Sequence, residues 1–195
     1  MNLILICGEN SFFCREKLKE VLEKVEGETK VFDAENFDFK SVLEEIKKQD
    51  LFSPKQKFVF ENFLKDESFL KKLEKEKVFY AKNKYFIFFE PETKLKKATI
   101  DFFKKRGEVF LFPKPNLNSL KKWAKEKLSK AKIETEEKVI EKILEECNFD
   151  PWQVEKEVEK LMAYKRNQKI TLNDVEKLIF PNLELNVFQF LDALF

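Results

Sequence analysis

NLILICGENSFFCREKLKEV, residues 2–21, reads as an apolar strand from Asn2 to Cys7 that turns at Gly8 straight into a helix. Phosphate-binding α/β folds begin this way. A P-loop then needs a second Gly five positions after the first, followed by Lys and Ser/Thr. Backbone amides and the cation cradle the phosphates, and the hydroxyl holds magnesium. Counted from Gly8, those places hold Phe13, Cys14 and Arg15. A bulky Phe keeps the backbone from closing round a phosphate, and Glu9 adds repulsion where the anion would sit at the helix N-terminus. No hydroxyl remains for a metal. The stretch has the geometry of a nucleotide-binding fold without its chemistry.

Working outward, short apolar runs rich in Phe, Val and Ile recur at Leu3 to Cys7, Thr29 to Phe32, Lys57 to Phe60, Tyr85 to Phe89 and Glu108 to Phe112. Such runs are expected of strands covered on both faces. Amphipathic stretches lie between them, at Ser11 to Val25, Phe39 to Lys48, Glu67 to Phe79 and Leu95 to Arg106. The alternation predicts a parallel sheet with helices on both sides, whose ligands collect at the carboxyl ends of the strands.

The composition changes at Pro113-Lys114-Pro115-Asn116, where two prolines stop the last strand and form a semi-rigid link. Only helices are predicted beyond it. Asn118 is placed to cap a helix to Ala131 and Thr135 one to Cys147. Asp150-Pro151-Trp152-Gln153 combines an N-cap, a Pro at the first helical position and a Gln at the capping-box position, opening a helix to Lys165. Thr171 and Asp174 form a second capping pair for a helix to Phe180, and Pro181 ends it. Trp123 and Trp152 are expected to pack the core of this small bundle. The expected organisation is an α/β domain over 1–114, a helical lid over 115–182 and the start of a further domain over 183–195. In that last stretch Val187, Phe188, Phe190, Leu191, Leu194 and Phe195 form an apolar face that needs burial by another surface.

Charge and residue usage exclude several classes. The chain of 195 residues carries 38% charged residues but a net charge of only +2, so its overall field does not pull strongly on nucleic acid or membrane. It has no His, which removes the commonest metal ligand and general base. Its basic residues are almost all Lys, with Arg15, Arg106 and Arg166 the exceptions. Cys7, Cys14 and Cys147 lack the paired spacing of zinc or redox sites and are expected as reduced, buried thiols. No apolar run suits a signal peptide or a membrane span, so a cytoplasmic location without membrane association is expected. No cofactor or metal is expected.

The local strings together resemble one family. LILICGENSFFCREKLKEV (3–21), QDLFSPKQKFVFEN (49–62), KYFIFFEPETKLKK (84–97), LKKWAKEKL (120–128), FDPWQVEKEVEKLMAY (149–164), KITLNDVEKLI (169–179) and NVFQFLDAL (186–194) follow the order of motifs in the delta subunit of the bacterial DNA polymerase III clamp loader. The resemblance covers the whole chain. It implies an AAA+-like α/β domain with a degenerate P-loop, a helical lid and no ATP hydrolysis by the chain itself, within an assembly that has DNA-directed DNA polymerase activity. Its implied partners are the sliding clamp (beta subunit), the other clamp-loader subunits through a C-terminal collar domain, and DNA indirectly. This sequence stops just inside the collar domain, which suggests a fragment or shortened version.

In the family, a hydrophobic pair beside a helix of the first domain contacts the clamp. By resemblance the pair is Leu51 and Phe52, preceded by Gln49 and Asp50. On residue pattern alone, an isolated apolar pair packs at a helix end. Its charged and polar neighbours, Lys47, Lys48, Ser53 and Lys55, and the resemblance favour a protruding wedge. Glu61 stands where a Walker B acid would follow a strand, and reads as a solvated strand end. Lys121, Lys125 and Lys132 fall on one side of a helical wheel, either as a solvated face or as a track for a DNA backbone. A P-loop-type enzyme with an aberrant turn and an AAA-like adaptor of another machine are the competing functions. Phe13, Cys14 and Arg15 speak against the enzyme.

Overall fold

The structure, a computed structural model, describes residues 2–48, 55–66, 68–81, 83–114, 116–166 and 168–179. The chain divides into two compact units, Met1–Lys114 and Pro115–Phe195.

The first unit is a five-stranded parallel sheet of β1 (Leu3–Gly8), β2 (Glu28–Asp33), β3 (Gln56–Glu61), β4 (Lys84–Pro91) and β5 (Glu108–Leu111), in the order β2-β3-β4-β1-β5. The three central strands are buried almost throughout, as their continuous apolar runs require. The edge strands depart from the expectation of two covered faces: β2 and β5 have a neighbouring strand on one side only and leave Val31 and Leu111 exposed.

Alternation along each strand feeds two separate cores. Leu3, Leu5, Phe58, Phe60, Phe86 and Phe88 face α2 (Phe39–Lys47), α3 (Ser68–Lys75) and α4 (Lys97–Arg106). Ile4, Ile6, Val59, Ile87 and Phe89 face α1 (Ser11–Lys24), through Cys14 and Val21. The three-helix side is an aromatic cluster, with Phe60 edge-on to Phe63 at 5.5 Å and Phe88 edge-on to Phe103 at 5.1 Å between ring centroids. The helix expected from Glu67 to Phe79 is shorter. Lys77 adopts a left-handed conformation after α3, and a separate 3-10 turn, Val78–Tyr80, comes next.

The second unit holds α5 (Leu117–Lys130), α6 (Glu137–Glu146), α7 (Pro151–Lys165) and α8 (Leu172–Leu178). Its core includes Leu120, Ala124 and Leu128 of α5, Ile140, Ile143 and Leu144 of α6, Val154, Val158 and Leu161 of α7, and Val175 of α8. Two caps differ from expectation. Asn116, not Asn118, caps α5, because its Oδ1 accepts the Ser119 N–H at 2.8 Å while Ser119 Oγ accepts the Asn116 N–H. Thr135 does not open α6. It bridges to Ile170, and Glu136 takes the cap position. Asp150 caps α7 through the Gln153 N–H, and Thr171 pairs with Asp174 at α8. Trp123 packs against the core, but Trp152, beside the cap of α7, is 37% exposed and lies outside it.

Candidate functional site

The turn after β1 is packed against the chain that follows β5, at Phe112. Gly8 has φ +133, and a Cβ there would stand 2.0 Å from the Phe112 carbonyl oxygen, so only Gly lets the chain just beyond β5 pass this close. The Asn10 N–H donates to the same oxygen at 3.3 Å, and Asn10 Oδ1 caps α1 by accepting the Phe13 N–H at 3.0 Å. An amide of the first helical turn, the kind of donor that meets a phosphate in a P-loop, is thereby occupied. Phe12 and Cys14 are buried, Phe13 packs against Phe112, and Arg15 reaches over Phe89. Burial pushes the thiols up, Cys7 to about 11 and Cys14 to about 12, with Glu90 adding to the first and Cys7 and Glu92 to the second. Neither is a ready nucleophile. Cys147 in the second unit is likewise pushed up by burial, to about 12. Among the described residues no group of three or more Cys, Asp or Glu side chains is placed to hold a metal ion.

Glu90, at the carboxyl end of β4, is fully buried. Its Oε1 accepts the Leu64 N–H at 2.8 Å and so ties β4 to the 3-10 turn Phe63–Lys65 that lies beyond β3, while its Oε2 has no hydrogen-bond partner. Burial pushes the carboxyl up to about 7, against the Leu64 and Phe63 amides and the Lys65 charge, which favour the anion. The sequence pattern alone does not single this residue out. Its one signal is an acid closing an otherwise apolar run. Glu61, at the end of β3, is half-buried, and the carbonyl of the same residue accepts the Ala34 N–H.

Gln49, Asp50, Leu51 and Phe52 lie outside the described residues, and so does the stretch 183–195. The flanks of the first segment are described. Helix α2 ends at Lys47, and β3 begins at Gln56. The Lys84 ammonium donates to the carbonyl oxygens of Lys48, at 2.7 Å, and of Ile46, while the Gln56 N–H donates to the Asn83 carbonyl at 2.9 Å.

In the second unit Lys121 and Lys125 both lie near Glu137. Lys121 forms ion pairs with Glu137 at 2.5 Å and Glu141 at 2.6 Å. Lys132 is not on α5; it sits beyond its end in a left-handed conformation, exposed.

No protein-family model and no curated protein sequence matches the chain. Among solved structures it is similar to the Bacillus subtilis DNA clamp loader delta protein (YqeN), with TM-score 0.75 and 18% identity over 97% of this chain and 61% of that one. It is also similar to the Thermotoga maritima RuvB Holliday junction branch migration motor, with TM-score 0.51 and 12% identity over 91% of this chain and 61% of that one. The chain thus spans less than two thirds of the length of each. No described helix is long and apolar enough to cross a membrane. Over almost its whole length the chain shares the fold of the clamp loader delta protein, here a parallel α/β sheet unit followed by a helical one.

Proposed function

We propose that this chain is a non-catalytic clamp-loader subunit that acts in DNA replication by gripping the sliding clamp and promoting ring opening. The observation that carries the reading is the fold shared with a clamp loader delta protein across 97% of the chain. The turn after β1, packed by Gly8, Asn10, Phe13 and Phe112, supports a chain that leaves nucleotide to other subunits. Leu51 and Phe52 form the contact wedge, with Gln49 and Asp50 leading into it. The face of Lys121 and Lys125 is better read as a solvated one than as a track for DNA, since Lys121 is held by Glu137 and Glu141 and Lys132 lies beyond the end of α5. Further subunits join through a collar domain.

Burying a Leu and a Phe contributes about 1.5–3 kcal/mol each, enough to make the pair a hot spot. That burial opens a ring only if the wedge fits the open clamp better than the closed one, because a ligand shifts an equilibrium by its differential affinity alone. The test is calorimetric titration of the chain with the purified sliding clamp of the same organism. Leu51→Ala/Phe52→Ala is expected to weaken binding by roughly a hundredfold or more, with an unchanged circular dichroism spectrum. Unchanged affinity would sink the assignment.

A further inference from the structure

The 3-10 turn Phe63–Lys65 carries the chain from β3 to α3, and it is held differently at its ends and in its middle. At the entry Asn62, left-handed at φ 62, donates its N–H to the Phe89 carbonyl at 3.1 Å. Phe63 is anchored by rings, with centroids 4.2 Å from Phe69, 5.5 Å from Phe60 and 4.7 Å from Phe37. At the exit Asp66 Oδ1 accepts the Ser68 N–H at 2.9 Å and opens α3. The middle rests on Glu90. Asn62 makes no side-chain cap, and the Leu64 N–H, which a first turn leaves without a helical partner, donates to Glu90 Oε1 at 2.8 Å. Next to it Lys65 lines a cleft with Lys71 of α3 and with Thr93, Lys94 and Lys96 between β4 and α4.

Glu90 continues the alternation of Phe86 and Phe88, and so faces the three-helix side with Cys7, its register partner on β1. Helices α2, α3 and α4 bring apolar residues to that core, among them Val42, Phe69, Leu73 and Phe103. Glu61 alternates to the other face of the sheet, and Glu92 acts on Cys14. The charge that acts on Glu90 is that of Lys65, which favours the anion. The titratable neighbour is the Cys7 thiol, kept neutral by burial that pushes it up to about 11. In the closed turn one oxygen of Glu90 is bonded to Leu64, and the other is fully buried with no protein partner. A protonated acid sits there at far lower cost than a carboxylate, whose charge is paired by nothing within hydrogen-bond reach.

We propose that Glu90 is a proton-operated latch on the Phe63–Lys65 turn. With its proton the carboxyl stays closed between strand and turn. When the proton passes to solvent, the carboxylate gains from water and from the Lys65 ammonium. Leu64 and Lys65 then swing outward from the anchors at Asn62 and Phe63, which widens the cleft. The device is local: α3 keeps its own cap at Asp66, and β4 keeps its ladder to β1 and β3.

Amide hydrogen exchange of the full chain, corrected for the intrinsic pH dependence of exchange, tests the latch. If opening returns the carboxyl from about 7 to its ordinary 4.5, the opening equilibrium of the Leu64 amide rises about tenfold between pH 6 and pH 8, then levels off. The rise is expected at low urea, with Ile87 and Phe88 in the middle of β4 exchanging more slowly and with a steeper urea dependence. Glu90→Gln is expected to keep Leu64 protection constant over the same range. Lys65→Met removes the cation that favours the anion and is expected to move the rise to higher pH. Should Glu90→Gln fail to fold, carbon-13 titration of the Glu90 carboxyl in the wild-type chain takes its place, and its midpoint has to coincide with the levelling of Leu64 exchange. Leu64 exchange that is independent of pH, or that follows Ile87 and Phe88 at every urea concentration, overturns the latch. So does an unaltered pH response in Glu90→Gln, or a carboxyl midpoint away from the levelling.

Discussion

Glu90 closes a strand whose buried neighbours are Phe86, Ile87, Phe88 and Phe89, and its carboxyl is as dry as they are. With a folded-state value of about 7 against an ordinary 4.5, the native state holds a proton between those limits that the unfolded chain has released. The contribution of this carboxyl to stability is therefore fully present below about pH 4.5, falls as pH rises toward 7, and levels off above it, the total loss being of order 3 kcal/mol. The chain has no His, so the α-amino group is the other group that ordinarily titrates near that upper limit. Glu90→Gln keeps an acceptor for the Leu64 N–H and removes the charge. Urea midpoints across pH 4.5–8.5 are expected to show a flatter profile for the variant, which is the more stable protein at pH 8 by about 1–3 kcal/mol. Parallel profiles for the two proteins would refute the assignment. The sequence displays Glu90 and Glu61 alike, each an acid at a strand end. Only the packing of the Phe63–Lys65 turn over one of them decides which is buried.

At the scale of elements, helix ends carry most of the difference between sequence pattern and structure. With three Gly in the chain, left-handed positions fall to other residues: Lys77 after α3, Lys132 after α5, Asn148 and Phe149 after α6, and Arg166 after α7. A side chain in that region costs roughly 1–2 kcal/mol that Gly avoids. Arg166→Gly is expected to raise stability by about 0.5–1 kcal/mol and Arg166→Ala to give no gain, as urea unfolding would measure. The central strands are legible because a strand buried on both faces is a continuous apolar run, as β1 is from Leu3 to Cys7. The cap at Thr171 is legible because Asp174 answers it three residues on, and that at Asp150 because Pro151 follows it at the first helical position, while the Asp150 N–H goes to the Cys147 carbonyl and not to Gln153. At α5 both Asn116 and Asn118 have the chemistry of a cap, and the choice of Asn116 turns on Ser119 answering its amide. Thr135 misleads as a cap because its pairing with Ile170 joins residues far apart in the chain. The reading of Leu51 and Phe52 as a wedge rests on the resemblance and on their charged and polar neighbours, and both residues lie outside the described ones.

For the molecule as a whole, the two units have separate hydrophobic cores. The sheet of the first is lined by Phe and Ile, and the helices of the second by Leu, Ile and Val. A unit with its own core is able to fold alone. Residues 1–114 expressed by themselves are expected to unfold cooperatively and to bind the clamp within about threefold of the full chain, while residues 115–195 show no clamp binding in the same titration. Tight binding by the second unit would move the contact away from the α/β sheet.

The packing at the Gly8 turn also sets how this fold responds to its surroundings. A site that waits for a ligand gains stability by mass action, about 2.7 kcal/mol when the ligand stands at a hundred times its dissociation constant, and loses that support when the ligand is scarce. Here Phe13 lies against Phe112, and Asn10 already caps the helix. On the proposed reading this corner takes its order from the chain's own residues, so the α/β unit is expected to keep its shape whether the nucleotide pool of the cell is full or empty.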